Sequence, residues 1–295
     1  MPAFLRNMKL RTKITVFSVF IILLTVLSVS YVSFEQSKAS LERSIQSDLN
    51  NVAKLKADKI AVLFKGLTPN IRLVQQYEMV QSQVTLLSQH VEDRTSEDYT
   101  KVRDTVDQVL VPFLRNYDFE DVQLLNPSGR IVYTANRGTS SKVLGQQFQD
   151  PDGQTLVNGA EDVYMSEIFR KNDKFYMYMV APVRTETGKY VGMIVCKHDM
   201  APIFDFIRDY TGLGTTGETL IGELRGTEVV FLNPLRHDTQ AALKRKVTVG
   251  SPSALPVQEA AQGRAGMGLD IDYRHKEVSR MAIHSRTGLG PGGQN

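Results

Sequence analysis

The stretch VQLLNPSGRIVY at residues 122–133 predicts a β-strand, a tight turn and a second β-strand. Asn126, Pro127 and Gly129 occupy the first, second and fourth positions of the turn, which is the order that a type I turn favours. A longer version of the pattern follows, with strands at 174–185 and 190–198 around the turn at 186–189. Two such hairpins predict an antiparallel sheet between residues 119 and 198.

Three amphipathic segments precede this sheet, and apolar residues recur in each at the spacing of an α-helix. The first covers 35–65, the second 71–90, and the third follows a helix-capping signal at 95–98. We expect Gly66 and Pro69 to end the first helix. The apolar positions are Leu41, Ile45, Leu49, Val52 and Leu55 in the first segment, Val74, Tyr77, Val80, Val84 and Leu87 in the second, and Val102, Val106, Val109 and Phe113 in the third.

Shorter elements follow the sheet. A short helix is predicted over 201–210, and strands are predicted near 219–223, 228–232, 269–273 and 278–285. The polar, Gly- and Gln-rich segment 140–159 is expected to be a loop. Helices in the first part of the chain, followed by two strand-rich lobes, indicate an α+β fold with an antiparallel sheet in each lobe.

The N-terminal region predicts a membrane helix. Residues 14–34 contain no charged side chain, which suits a segment that crosses the hydrocarbon layer. Four cationic residues precede it: Arg6, Lys9, Arg11 and Lys13. Because cationic flanks stay on the cytoplasmic side, we expect residues 1–13 in the cytoplasm and the bulk of the chain outside. The chain would then cross the inner (plasma) membrane of the cell once. The alternative is a cleaved signal peptide with a weak cleavage site at Ser28–Ser30, although its apolar region would be unusually long.

Composition excludes several classes of protein. The 35 Lys and Arg against 32 Asp and Glu leave a net charge of +3, too small over 295 residues to favour nucleic-acid binding. One cysteine, Cys196, excludes a disulfide framework, and the five histidines show no metal-ligand spacing, so we expect neither a metal nor a cofactor. GLGTTG at 212–217 fits a tight turn better than a dinucleotide loop, because a helix precedes it and a strand follows.

A group of aromatic and charged residues on one predicted sheet is the candidate ligand site. Aromatic walls with a few polar groups are typical of a small-molecule pocket. The candidates are Tyr133, Tyr164, Tyr176, Tyr178, Arg184, Lys197 and Asp199. The tyrosines could instead only pack in the core. Lys197 could be neutralised by Asp199, two residues along the same face, or by an anionic ligand, and the sequence slightly favours Asp199.

The order of these motifs resembles the extracytoplasmic double Cache (dCache) sensor region of bacterial receptors, most of all those of sensor histidine kinases. The residues that carry the resemblance are 122–133, Ala181–Val183, Gly192–Val195, Gly214–Leu220, Phe231–His237 and Asp272–Arg274. The resemblance implies a membrane helix at 14–34, a stalk helix at 35–68, a distal PAS-like lobe at 69–200 and a proximal PAS-like lobe at 201–295. It also implies a small-molecule ligand and a homodimer formed through the stalk helix.

Two departures from the family pattern affect the interpretation. Lys197 stands where amino-acid-binding members place an Asp, and a Lys cannot accept a hydrogen bond from a ligand ammonium group. The chain has no Trp, and 287–295 replaces the expected closing strand, so we expect an incomplete proximal lobe. The hypothesis is a non-enzymatic sensing region whose histidine kinase, cyclase or chemoreceptor output lies outside this chain. The alternative is a membrane-anchored extracytoplasmic hydrolase or binding protein.

Overall fold

The computed structural model of the protein describes residues 10–138 and 140–282. Its first element is helix α1, Leu10–Gln75, which contains the uncharged segment 14–34. In the described part of the chain, α1 is the one helix long and apolar enough to cross a membrane. The chain divides into two units after Asn51, and the lobes belong to the second.

The prediction that Gly66 and Pro69 end the first helix is wrong, because α1 continues to Gln75. Its last turns bury the apolar stripe Ile60, Phe64, Leu67, Ile71 and Val74 in the core. Pro69 lies on the exposed side, where water can satisfy the carbonyl of Lys65 that loses its helical donor. Burial of the stripe outweighs that single lost hydrogen bond.

Two shorter helices complete the helical layer. Helix α2 covers Glu78–His90 and helix α3 covers Glu97–Asn116. The predicted cap is confirmed, since Oγ of Ser96 accepts a hydrogen bond of 3.1 Å from the backbone N–H of Tyr99.

Residues 121–199 form a six-stranded antiparallel sheet, and we call this part of the chain the distal lobe, after the position that the resemblance implies. Its strands are β1 Asp121–Leu125, β2 Ile131–Thr134, β3 Tyr164–Met165, β4 Phe169–Lys171, β5 Lys174–Arg184 and β6 Tyr190–Asp199. The order is β2-β1-β6-β5-β3, with β4 also paired to β5. Both predicted hairpins are confirmed, and Gly129 closes the first turn with φ +80° and an N–H that donates to the carbonyl of Asn126.

The two faces of this sheet have different neighbours. One face meets the helices: Gly192 of β6 lies so close to Val84 of α2 that a Cβ would stand 2.8 Å from that side chain. The other face is covered by the segment 140–159, which contains helix α4, Ser140–Val143, and helix α5, Thr155–Gly159. The expected plain loop therefore holds two helical turns. A Cβ on Gly159 would stand 2.3 Å from Val180 of β5.

Helix α6, Ala201–Ile207, leads into the remaining strands, which we call the proximal lobe, again after the position that the resemblance implies. There β7 Gly222–Arg225, β8 Glu228–Phe231 and β9 Lys246–Thr248 form a three-stranded antiparallel sheet. Strands β10 Gly266–Ile271 and β11 Glu277–Ala282 form a separate antiparallel pair. The sequence reading missed β9 and helix α7, Leu255–Ala261, which packs Val257 against Gly222.

The α+β class with antiparallel sheets is confirmed. The segment 212–217 forms successive turns that precede β7, as predicted. The expected chain end at 287–295 lies outside the described residues.

Candidate functional site

An open cleft of about 370 Å³ lies on the loop-covered side of the distal sheet. We call it the distal cleft. Its floor is Tyr178 of β5, and its rims are the loop before α5 and the short strand β4. The lining residues are Gln149, Asp150, Pro151, Phe169, Arg170, Lys171 and Tyr178.

The loop at one rim is held by two carboxylates. Asp150 accepts hydrogen bonds from the backbone N–H groups of Gly153 at 3.0 Å and Leu156 at 3.0 Å. Asp152 accepts from Thr155, through both its backbone N–H and its hydroxyl, and from the backbone N–H of Glu167 at 3.0 Å. Although burial acts to raise the pKa of Asp152, these hydrogen bonds lower it below its usual value. The rim is therefore an ordered loop, held by the hydrogen bonds that both carboxylates accept.

The opposite rim follows from a hairpin that the sequence reading missed. Asn172 and Asp173 have φ of +51° and +61° and join β4 to β5 as a two-residue turn. This turn places Arg170 and Lys171 at the edge of the cleft. Arg170 forms an ion pair of 2.8 Å with Asp173. Among the described residues Lys171 has no ion-pair partner, and its side chain is exposed.

Aromatic rings form the apolar wall. The Tyr178 ring lies 4.9 Å from that of Phe148 and 4.8 Å from that of Phe169, centroid to centroid, and the Phe169 ring lies 6.0 Å from that of Tyr176. Burial, with the nearby negative charges of Asp121 and Glu120, raises the pKa of Tyr178 to about 12. Tyr178 is therefore a neutral surface suited to packing against a ligand.

Lys197 lies beside this wall, but its partner is not Asp199. Its ammonium forms an ion pair of 2.9 Å with Glu120 and stands 3.6 Å from the centre of the Tyr176 ring. Asp199 instead lies 3.7 Å from the ammonium of Lys174 and accepts from the backbone N–H of Ala201. The expected Lys197–Asp199 pair is therefore wrong. The β1–β6 register sets Asp121 opposite Lys197 and brings Glu120 within reach, a non-local pairing that the residues around Lys197 do not reveal.

A second carboxylate on this face was also missed. Asp121 is 3% exposed and accepts hydrogen bonds from the hydroxyl of Thr134 at 2.8 Å, the amide of Gln123 at 2.8 Å and the backbone N–H of Asn136 at 3.0 Å. These donors are uncharged, so the carboxylate adds negative potential beneath the aromatic wall. An ionisable residue inside the predicted strand 119–125 was the available signal.

The remaining sequence candidates lie elsewhere. Tyr133 faces the helices, and its hydroxyl donates to Asp107 at 2.6 Å. Arg184 is exposed near the far end of β5 and donates to the carbonyl of Ala160 at 2.7 Å. Tyr164 borders the cleft loop, with its hydroxyl 3.4 Å from Asp152, and burial raises its pKa to about 12. Tyr176, Tyr178 and Lys197 are thus the predicted residues that the fold brings together.

The single cysteine of the chain, Cys196, lies on the helix-covered face of the distal sheet. Cys196 is completely buried, and burial raises the pKa of its thiol, so the thiolate is not available for attack. Among the described residues no cluster of three His, Cys, Asp or Glu side chains could hold a metal ion. Neither observation supports the hydrolase alternative.

Comparison with known proteins identifies the fold. No protein-family model matches the sequence, and no curated protein matches it. The extracellular domain of vpHK1S-Z8, which is named as a histidine kinase, has a TM-score of 0.50 at 10% identity and covers 77% of this chain and 84% of its own.

Two chemoreceptor domains are similar at slightly lower scores. The ligand-binding domain of the Pseudomonas aeruginosa amino acid chemoreceptor PctC, solved with GABA, has a TM-score of 0.48 at 17% identity and covers 76% of this chain and 86% of its own. The periplasmic sensory domain of the Campylobacter jejuni chemoreceptor Tlp1 has a TM-score of 0.49 at 13% identity, with coverages of 79% and 87%.

At these identities the likeness concerns the fold alone. The chain is an α+β protein with a long apolar N-terminal helix and antiparallel sheets. Its fold is similar to that of the extracellular domain of vpHK1S-Z8, and the sequence motifs predicted a sensor-domain fold of this kind.

Proposed function

We propose that this chain is the extracytoplasmic sensing region of a single-pass membrane receptor and that it binds a small molecule in the distal cleft. The observation that carries the proposal is the cleft itself, an ordered concave site with an aromatic floor, one rim that carries Arg170 and Lys171, and an opposite rim that carries Asp150. Aromatic surface with a few fixed polar groups is the usual composition of a small-ligand site. PctC and Tlp1, whose domains are similar, are named as chemoreceptors.

The ligand we propose carries an anionic group and an apolar or planar part. Lys197 was the sequence argument for an anion, but its charge is already neutralised by Glu120. The argument now rests on Lys171, whose exposed ammonium stands at the rim, with Arg170 beside it. The planar part would pack on Tyr178 and Phe169, since ring faces and edges favour such contacts.

A thermal-shift screen of the full chain in detergent tests this function. The probes are single amino acids, dicarboxylates, amines and purines. A compound that binds the native state stabilises it by RT ln(1 + [L]/Kd), so binding raises the melting temperature. We expect at least one compound with a carboxylate or phosphate group to do so.

Matched variants locate the binding. Lys171→Gln removes the rim charge, while Lys189→Gln removes an equally exposed charge from the turn at the other end of β5. A charged hydrogen bond contributes about 1.5–3 kcal/mol, so Lys171→Gln should weaken binding about 10- to 150-fold while Lys189→Gln leaves it unchanged. Failure of every probe, or equal loss in both variants, would contradict the proposal.

We also propose that the receptor is a homodimer through α1 and that residues 14–34 cross the inner membrane, with 1–13 in the cytoplasm. Support comes from exposed apolar side chains on α1 beyond the membrane segment: Leu41, Ile45, Leu55 and Val62 are 62%, 42%, 67% and 70% exposed. Leu55→Cys should form an oxidative cross-link between chains, and Lys54→Cys on the neighbouring position should form much less. Equal cross-linking at both positions would argue against this interface.

In this proposal the 295 residues provide anchoring and sensing. A kinase, cyclase or chemotaxis output would belong to another part of the receptor.

A further inference from the structure

An ion pair joins the two lobes next to the distal cleft. Arg225, at the end of β7 in the proximal lobe, places its guanidinium 2.9 Å from the carboxylate of Glu167 in the distal lobe. The same guanidinium lies 2.6 Å from the carboxylate of Glu223, on its own strand. Both partners across the lobes are partly buried, with side chains 27% and 28% exposed. A pair screened from solvent is worth more than an exposed one.

The distal partner of this pair is tied to the residues that form the cleft. The backbone N–H of Glu167 donates to Asp152, one residue beyond the rim residue Pro151. Ser166, immediately before Glu167, exchanges hydrogen bonds of 2.9 Å with the backbone of Tyr178, the cleft floor. A shift of the rim or the floor therefore moves the segment that presents Glu167.

The charges around Arg225 make the pair sensitive to such a shift. Glu223 is 9% exposed, and its second carboxylate oxygen is buried without a hydrogen-bond partner among the described residues. Burial raises the pKa of Glu223, and the negative charges of Glu167 and Asp152 add to the effect. The guanidinium of Arg225 thus pairs with two carboxylates, those of Glu167 and Glu223, and the carboxylate of Asp152 lies nearby. Any displacement of Glu167 therefore changes the charges that surround Arg225.

We propose that the Glu167–Arg225 pair couples the cleft loop to the proximal lobe, so that the state of the cleft sets how firmly the proximal strand β7 is held. The proposal rests on the proposed function, because the signal to be passed on is occupancy of the distal cleft. Coupling of this kind is reciprocal: loosening either side must loosen the other by the same factor.

Hydrogen exchange of the full chain in detergent, measured by mass spectrometry without any ligand, tests the coupling. The variants are Glu167→Gln, Arg225→Gln and the double variant. Each single variant should raise exchange at least about fivefold both in the distal segment 164–168 and in the proximal hairpin 222–231. The double variant should add little to either. Lys246→Gln, which breaks the 3.2 Å pair with Glu228 inside the proximal lobe, should leave 164–168 unchanged.

Asp152→Ala tests transmission from the cleft loop. It removes the acceptor for the Glu167 N–H, so it should raise exchange over 222–231 in the native background but not in the Glu167→Gln background. Glu167→Gln leaves Arg225 paired with Glu223. The comparison of Asp152→Ala in the two backgrounds can therefore be interpreted even if Arg225→Gln unfolds the proximal lobe.

The proposal is overturned if each variant loosens only its own lobe, if the two single effects add in the double variant, or if Asp152→Ala acts equally in both backgrounds. Because no ligand is present, these outcomes are independent of the compound screen. An exchange result that contradicts the coupling would not affect the evidence for ligand binding. A compound screen without any binder would not affect the exchange result.

Discussion

Replacement of His198 by Leu gives a quantitative test of the packing between the distal sheet and the helices. His198 lies on the helix-covered face of β6, is 7% exposed, and has both ring nitrogens without hydrogen-bond partners among the described residues. Its ring stands 6.4 Å from that of Phe64 and 6.0 Å from that of Phe119. Burial lowers the pKa of His198 below 6.5, although the charges of Asp118 and Asp199 oppose the shift.

The sign of the pH dependence follows from that shift. As pH falls through about 6.5, the unfolded chain takes up the imidazole proton before the folded chain does, so the free energy of unfolding decreases. Because the pKa of folded His198 is lowered, the loss between pH 7.5 and pH 5.5 is limited by titration of the unfolded imidazole, to about 1.4 kcal/mol. His198→Leu should remove most of this loss. It should not destabilise the protein at pH 7.5, because it removes two unsatisfied polar atoms.

Urea unfolding of the detergent-solubilised chain at the two pH values, followed by tyrosine fluorescence, measures the effect. The chain contains 11 Tyr and no Trp, so the signal comes from tyrosine alone. The wild-type chain should lose about 1 kcal/mol more on acidification than His198→Leu. His237→Gln, at an exposed histidine of the proximal lobe, is the control and should behave as wild type. An equal loss in wild type and His198→Leu would refute the reasoning, and so would marked destabilisation by Leu at pH 7.5.

Three further outcomes are expected. Lys56→Met should lower the free energy of unfolding by about 2–4 kcal/mol in the same assay, because it strands the carbonyls of Ile207 and Asp209 that accept from the buried ammonium. Ser96→Ala should cost about 1 kcal/mol through loss of the α3 cap, whereas Ser82→Ala, within α2, should cost little. A periplasm-dependent reporter fused after Lys65 should be active; activity of a cytoplasm-dependent reporter alone would contradict the proposed topology.

Local patterns predicted much of this fold. Sequence predicts both hairpins of the distal sheet because the turn residues and the strand-forming runs on either side of them are close together in the chain, as at Asn126–Gly129. The cap at Ser96 was found for the same reason. By contrast, Pro69 predicted a helix end that does not occur, because burial of Phe64 and Ile71 depends on a core that the local sequence does not show.

The candidate site was less predictable because it depends on non-local pairing. Lys197 lies beside aromatic rings, but its partner Glu120 comes within reach only through the β1–β6 register, which the local sequence does not show. The positions of the rim residues Arg170 and Lys171 depend on the two-residue turn at Asn172 and Asp173. Asn and Asp are residues that such hairpin turns favour, so the local sequence does contain a signal for this turn. Tyr133 was assigned to the pocket although its position in β2 turns it toward α3.

A structure of the protein bound to the strongest compound from the thermal-shift screen would test the central claim most directly. The account predicts that the compound lies in the distal cleft, with its anionic group within hydrogen-bond distance of the Lys171 ammonium and its apolar part against Tyr178 and Phe169. A compound bound in the proximal lobe, or on the helix-covered face of the distal sheet, would contradict it.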